Sequence, residues 1–117
     1  MKRFTATLYR GHSDSAVIVP FDPGTLWQLE PRRIGYRKYV GYAVRGRIAG
    51  VTFESWIWLY FHEWRMVIAD AVLAKAKVEP GDAVTISVEP HAKPEQVAPY
   101  VPGGTSVAKG VRNPKTK

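Results

Sequence analysis

Residues 68–88 read IADAVLAKAKVEPGDAVTISV, and this stretch decides the fold. The Ala-rich run 70–77 predicts a short helix, with Asp70 as its N-terminal cap. The Pro-Gly pair at 80–81 predicts a type II turn, because glycine supplies the positive φ that this turn requires. Apolar residues then alternate with polar ones over 84–88 and predict a half-buried strand. The order is therefore strand end, short helix, tight turn and final strand.

Period-two alternation predicts a long hairpin in the middle of the chain. Residues 40–48 and 51–59 each alternate from one face to the other. Ala49 and Gly50 stand between them, where a two-residue hairpin turn is expected. Both faces of the 51–59 strand carry large side chains, so one face is expected to fill a core and the other to need a cover or a partner.

Shorter patterns predict three further strands, over residues 4–9, 16–19 and 64–68. Asp22 followed by Pro23 predicts the start of a second short helix. The Asp carboxylate can accept from free backbone N–H groups, and proline is well tolerated at the first helical position. The chain is therefore predicted to be mainly β, with two short helices.

The chain has 117 residues, no Cys and a formal net charge of +7. This length predicts one domain, and the lack of Cys excludes disulfides, thiolate metal sites and cysteine nucleophiles. Composition changes after the last predicted strand, because residues 91–117 hold four of the nine prolines and show no sustained apolar period. We therefore predict a folded domain over 1–90 and a Pro/Gly-rich basic arm or tail over 91–117.

Charge and hydropathy predict the cellular location of the protein. Residues 103–117 carry four Lys or Arg and no acid, so +4 of the +7 belongs to the tail. The N-terminus is basic and alternating, without the apolar run of a signal peptide. The longest strongly apolar stretch, 56–61, has six residues, whereas a membrane-spanning helix needs about 20. We expect a cytoplasmic, bacterial-type protein with no membrane contact.

Four segments, taken in order, resemble a known family. They are Phe4-x-Ala6-x-Leu8, Ile18-x-Pro20-x-Asp22, Val44-x-Gly46-x-Ile48-x-Gly50-Val51-x-Phe53 and Val78-x2-Gly81-Asp82-x-Val84-x-Ile86-x-Val88. Their order is similar to that of the bacterial family called domain of unknown function 1905. The resemblance covers residues 3–90 and implies a small split β-barrel of the double-split type. The two short helices and the irregular C-terminal arm of the predicted fold come from the residue patterns above. The family has no established catalytic residues, so it implies none here.

The strand, helix and Gly-Asp turn of residues 68–86 also resemble the looped-hinge unit of AbrB/MazE-type regulators, which form swapped-hairpin barrels. Residues 17–26 look like a fainter second copy of this unit. Two units in one chain would allow a monomer to build what such regulators build as dimers. Pairing the units would close the sheet edge that each one leaves open.

Histidines and sequence motifs give no catalytic arrangement. His12, His62 and His91 are scattered without metal-ligand spacing, and we interpret them as surface or loop residues. The sequence contains no zinc-protease, nucleophile-elbow, phosphate-loop or dinucleotide-binding motif. We therefore predict no metal, no cofactor and a non-enzymatic binding or interaction module whose ligand is unidentified.

The first candidate site is a run of six cations within sixteen residues: Arg32, Arg33, Arg37, Lys38, Arg45 and Arg47. Tyr36, Tyr39 and Tyr42 are interleaved with them. Cations for phosphates and rings for bases are what a single-stranded nucleic-acid platform requires. The sequence thus predicts weak binding of nucleic acid or another polyanion through this segment and the tail. The alternative is a solvated barrel exterior with the tyrosines packed inward.

The second candidate site is an aromatic cluster with polar neighbours: Glu54, Trp56, Trp58, His62 and Trp64. Trp56 and Trp58 share a strand face with Glu54, opposite the aliphatic face. If the aliphatic face fills the barrel, the tryptophans pack under the tail, form a homodimer seam or line a small-molecule pocket. If the tryptophan face fills it, they are core. We predict that Glu54 pairs across the hairpin with Arg45 or Arg47.

Overall fold

The computed structural model describes residues 1–11, 14–34 and 40–98 of the chain. The strands are β1 Lys2–Thr7, β2 Tyr9–Arg10, β3 Ser15–Val19, β4 Arg32–Arg33, β5 Val40–Ile48, β6 Val51–Tyr60, β7 Glu63–Ile68 and β8 Ala83–Pro90. The helices are α1 Pro23–Trp27, α2 Asp70–Ala76 and a short 3-10 helix, Pro94–Gln96. The prediction of a mainly β chain with two short α-helices is confirmed.

All pairings in the sheet are antiparallel, in the order β1-β8-β5-β6-β7-β3-β2, and β4 adds to the start of β5. The two strands at the ends of this order, β1 and β2, are separated in the chain by Leu8 alone. One N-terminal segment therefore pairs with both sides of the sheet, which must curl to meet it. Leu8 continues the pairing of β1 towards the turn before β8, because its N–H donates to the Asp82 carbonyl and its carbonyl accepts from the Gly81 N–H. The predicted small β-barrel is confirmed as this curled sheet.

Two hairpins place β5, β6 and β7 side by side. Ala49 and Gly50 form the predicted two-residue turn, with φ values of 48° and 81°. The β6–β7 turn is Phe61-His62, which also has positive φ at both positions, 50° and 67°. It is shorter than the gap of residues 60–63 between the strands predicted over 51–59 and 64–68, because Tyr60 and Glu63 already pair. Bulky side chains are uncommon in this conformation, and Phe61 is 74% exposed.

The barrel interior is filled by the aliphatic faces of the strands, as the alternation predicted. Val44 and Ile48 of β5 meet Phe53 and Ile57 of β6, and Leu73 of α2 closes the cluster. Gly46 lies opposite Phe53 in register, and the Phe53 ring occupies the space that a side chain at position 46 would take. This glycine is therefore a packing requirement of the hairpin.

The two helix caps differ from each other. Asp22 caps α1 as predicted, because Oδ1 accepts from the N–H groups of Gly24 and Thr25 at 2.9 and 3.2 Å. The prediction that Asp70 caps α2 is wrong. Ala69 holds the extended cap position, so Asp70 is already inside the helix, and its carboxylate accepts from the Arg10 guanidinium at 3.2 Å.

The chain continues past β8 along the outer face of the sheet. The His91 N–H donates to the Ala43 carbonyl at 2.9 Å, which extends the β5–β8 pairing by one residue. The 3-10 helix follows, and Val97 is buried on the same outer face. The domain boundary at residue 90 stays a prediction, and the basic tail from 103 lies outside the described residues. None of the helices in the described ranges reaches the length and apolarity needed to cross a membrane.

Candidate functional site

The outer face of the sheet carries a second apolar cluster. Strand register places Ala43 opposite Trp56, and Ala16 opposite both Val67 and Tyr9. The complete buried cluster is Ala16, Ile34, Ala43, Trp56, Trp58, Val67 and Val97. Because these side chains come from separate strands and from the C-terminal arm, the cluster fastens the arm to the barrel.

Trp56 and Trp58 lie at the centre of this cluster and are each only 3% exposed. Ile34 and Val97 pack with them, and Trp56 Nε1 donates to the Ala98 carbonyl at 3.2 Å. The aliphatic face fills the barrel, so the tryptophans are outside it and pack under the start of the arm. This is one of the alternatives that the sequence left open.

The predicted aromatic set is divided between the two faces. Trp64 packs against the interior cluster, with its ring 5.9 Å from that of Tyr42, whereas Trp56 and Trp58 belong to the outer cluster. His62 is exposed in the β6–β7 turn, as expected of a surface histidine. The structure therefore does not bring Trp64 and His62 together with the outer tryptophans, and a pocket or interface role stays a prediction.

Glu54 and His91 form the closest polar contact on the outer face. His91 Nε2 lies 2.6 Å from Glu54 Oε2, and the Lys93 N–H donates to His91 Nδ1 at 2.9 Å. Since Nδ1 accepts, the ring proton belongs on Nε2 and is donated to the carboxylate. With both nitrogens engaged and its side chain 4% exposed, His91 holds the arm in place and cannot reach a substrate.

This contact corrects one prediction and narrows another. Arg45 does lie opposite Glu54 in register, but the carboxylate bonds to His91 and to neither predicted arginine. His91 lies in the irregular segment after β8, as expected of a loop histidine, but its side chain is buried and not at the surface. The physical reason is the backbone bond from His91 to Ala43, which lays the imidazole across the sheet. The one signal in the sequence was the continuation of the β8 alternation beyond Pro90.

Arg65 was missed by the sequence reasoning, although it alternates with the inward residues of β7. Its guanidinium carbon lies 4.8 Å from the Tyr60 ring centroid and 5.8 Å from that of Tyr9, and it pairs with Glu63 at 3.0 Å. Burial is the main cause that raises the pKa of Tyr9, although Arg65 opposes it. Arg65 Nε and Trp58 Nε1 are both buried and have no acceptor among the described residues.

Four of the six predicted cations lie within the described residues. Arg32 and Arg33 form β4, Arg45 and Arg47 lie on β5, and all four are exposed. Their side chains have no carboxylate within 4 Å in the part of the chain that the structure describes. Arg37 and Lys38 lie outside the described residues, as do Tyr36 and Tyr39.

Neighbours across the sheet distinguish the two cations of β5. Arg45 lies between Glu54 and Glu89 in register, so acidic residues flank it on both sides. Arg47 lies between Thr52 and Ser87, and beyond Ser87 lies Arg3 of β1. Residues directly opposite each other point to the same face. Arg3, which sequence reasoning missed, therefore joins Arg47 on the outer face.

Tyr42 does not belong to this exposed surface. Its ring is buried against Trp64, and its hydroxyl fills the space beside Gly24. Burial raises the pKa of Tyr42, and the nearby carboxylates of Asp22 and Glu30 raise it further. The hypothesis that this tyrosine stacks on a base is therefore wrong, and for Tyr42 the inward-packed alternative is confirmed.

These features define the class as a small curled antiparallel barrel with a basic outer strand and a second aromatic core beneath its C-terminal arm. In the described ranges, no three His, Asp or Glu side chains gather where they could hold a metal ion. The chain belongs to the family "Domain of unknown function (DUF1905)", whose model matches residues 4–88, so the predicted family resemblance is confirmed. No curated protein matches the chain. The distant likeness to AbrB/MazE-type barrels stays a prediction.

Proposed function

We propose that this protein binds nucleic acid through the phosphate backbone, using exposed arginines on the outer face of the barrel. The proposal rests on the exposure and the lack of carboxylate partners of four arginines, Arg32, Arg33, Arg45 and Arg47. All four side chains are exposed and have no carboxylate within 4 Å among the described residues. Unpaired guanidinium groups are the side chains best suited to contact phosphate oxygens.

The outer face supports backbone contact more than base recognition. Arg47, Ser87 and Arg3 follow one another across three neighbouring strands, so the two arginine Cα atoms are about 10 Å apart with a hydroxyl between them. Hydroxyl and guanidinium groups are typical phosphate ligands. Tyr42 is buried and offers no ring to a base. The expected binding is therefore independent of nucleotide sequence and driven by counterion release.

The register also ranks the arginines. Glu54 and Glu89 flank Arg45, so a phosphate approaching Arg45 also meets two carboxylates. Arg47 has hydroxyl neighbours on both sides and carries no such penalty. We therefore expect Arg47 and Arg3 to contribute more to binding than Arg45 does.

The alternatives from the sequence receive less support. Self-association through Trp56 and Trp58 would need these side chains exposed, and Ile34 and Val97 pack over them. A small-molecule pocket shared by Trp56, Trp58 and Trp64 would need side chains from opposite faces of the sheet. Neither arrangement of residues favours these functions over phosphate binding.

The test is fluorescence anisotropy of a labelled DNA duplex titrated with the full chain. We expect log affinity to fall linearly with log salt between about 50 and 200 mM, by about 0.9 for each phosphate contact. Replacing Arg3 and Arg47 together by Ala should lower this slope by about 2, and Arg45→Ala should lower it less. The matched control replaces Lys75 and Lys77, exposed cations at α2, and should leave the slope unchanged.

Two results would contradict the proposal. One is the absence of binding at low salt, or an affinity that does not depend on salt. The other is a loss of affinity in the lysine control equal to that in the Arg3 and Arg47 variant. Such a loss would show that binding depends on the net charge of the protein and not on a localised site.

A further inference from the structure

Five of the six large apolar side chains that the described residues expose lie at one end of the barrel. Gly41 pairs with Trp58 in the β5–β6 hairpin, so Val40 lies beside Leu59 at this end. These two side chains are 49% and 52% exposed, and Phe61 in the turn that follows is 74% exposed. Single exposed apolar residues are normal, whereas a contiguous group of them marks an interaction surface.

Helix α1 and the residues after it contribute to the same surface. Gly24 of α1 has both the Tyr42 hydroxyl and the Leu29 carbonyl beside it. The Tyr42 ring also contacts Trp64, which lies opposite Leu59 in register. The exposed apolar side chains therefore form one surface, the end patch, which consists of Leu26, Leu29, Val40, Leu59 and Phe61.

Phe61 is poorly suited to its own turn. Its φ is 50°, and that of His62 beside it is 67°. Asn, Asp and Gly are the usual residues in such two-residue turns, because a bulky side chain is strained at positive φ. The Phe61 ring contacts Tyr60 but belongs to neither apolar cluster of the barrel. The packing of the barrel thus does not account for the strain, and strain of this kind is typical of functional sites.

The charged residues around the end patch are of both signs. Burial raises the pKa of Tyr42, and the nearby carboxylates of Asp22 and Glu30 raise it further, which places both acids beside the patch. Arg33 lies opposite Val40 on β4. Within the described ranges, none of these three charged side chains forms an ion pair. The two acids disfavour nucleic acid or an anionic membrane here, whereas a surface of both signs can be its own complement, as a two-fold symmetric interface requires.

We propose that the end patch is a dimerisation surface, and that its occupant is the same surface of a second copy of the chain. The apolar side chains are buried at the centre of this interface, with Phe61 as the anchor, because large aromatic rings carry much of the energy of an interface. Asp22 is already engaged as the cap of α1, so Arg33 of one copy pairs with Glu30 of the other. The two-fold axis repeats this contact. The inference does not rest on phosphate binding.

The test is sedimentation velocity of the full chain, without nucleic acid, between about 1 μM and 1 mM. We expect a monomer–dimer equilibrium whose dissociation constant rises at least about tenfold in Phe61→Asn. Asn tolerates positive φ, so this variant should be at least as stable as wild type in urea. The matched control is His62→Asn, which makes the same exchange at the neighbouring turn position and should leave the dissociation constant unchanged.

Two charge variants test the identity of the occupant. Arg33→Glu alone and Glu30→Arg alone each place like charges opposite one another across the two-fold axis, so each should dimerise more weakly than wild type. An equimolar mixture of the two variants restores opposite charges at both contacts. Mixed dimers should therefore form more strongly than the dimers of either variant alone.

Four results would overturn the proposal. One is a chain that stays monomeric up to about 1 mM. The second is an equal dissociation constant for wild type and Phe61→Asn, or an equal loss in the His62→Asn control. The third is a mixture of charge variants that associates no better than each variant alone. The fourth is a monomer that floats with phosphatidylserine vesicles and loses this property in Phe61→Asn, since the end patch would then bind lipid.

Discussion

A methyl group at Gly46 would meet the Phe53 ring inside the barrel. An ideal Cβ at this position lies 2.5 Å from Cζ and 2.8 Å from Cε1 of Phe53. Real Cβ contacts are essentially never this short, so Gly46→Ala forces the ring out of its position. Phe53 is buried and packs with the interior cluster, which gives the ring little room to move. The substitution therefore converts a close fit into overpacking.

The magnitude follows from the type of defect. Adding one methyl group to a well-packed core typically costs about 1–3 kcal/mol. We expect Gly46→Ala to fall in this range, because the obstacle is a stiff ring confined by the barrel. A shorter side chain at position 53 should relieve the clash with the new methyl group. Phe53→Leu alone should cost about 1 kcal/mol, as a swap between apolar side chains.

The assay is urea denaturation of wild type, both single variants and the double variant, combined as a double-mutant cycle. We expect the double variant to be more stable than the sum of the single effects predicts, by about 1 kcal/mol or more, because the shorter side chain at position 53 leaves room for the new methyl group. Additive effects would refute the reasoning, as would a Gly46→Ala variant as stable as wild type. Either result would mean that Gly46 is not fixed by Phe53.

Two further predictions concern the barrel end near α1. Asp22→Ala removes the only side-chain cap found in the described helices and should lower the free energy of unfolding by about 0.5–2 kcal/mol in urea, whereas Asp22→Asn should restore most of it. Burial raises the pKa of Tyr42, so its stabilising contribution is complete below about pH 10 and is lost as the pH rises through the folded-state value. Tyr42→Phe should therefore lessen the fall in stability as the pH rises above about 10, and an unchanged fall would assign the loss to other groups.

Local features of the fold were predictable from the sequence. The alternation of apolar and polar residues over 40–59 predicted the β5–β6 hairpin, because both strands follow the same period of two and Gly50 suits the turn between them. Asp22 was predictable as a cap because a carboxylate before proline has few other local roles. Asp70 was wrong by a single position, which is the usual uncertainty of a helix end.

Contacts between distant segments were not predictable from the sequence. Glu54 meets His91, which lies 37 residues later in the chain, and the meeting depends on how far β8 pairs with β5. The sequence offered Arg45 as a nearer partner of opposite charge, and the register does place it opposite Glu54. Geometry selected the histidine because the His91 backbone bonds to Ala43 and brings the ring to the carboxylate. Only the three-dimensional path of the arm could decide between these partners.

The two faces of β6 explain why the barrel needs its C-terminal arm. A single small barrel can enclose only one face of a strand, and Phe53 and Ile57 fill that interior. Trp56 and Trp58 on the other face must be covered from outside, and residues 91–98 provide part of that cover. The family match ends at residue 88, just before this cover begins. A chain cut at that point would keep the paired strands but expose two tryptophans, so the outer face and the first residues of the arm belong to one packing unit.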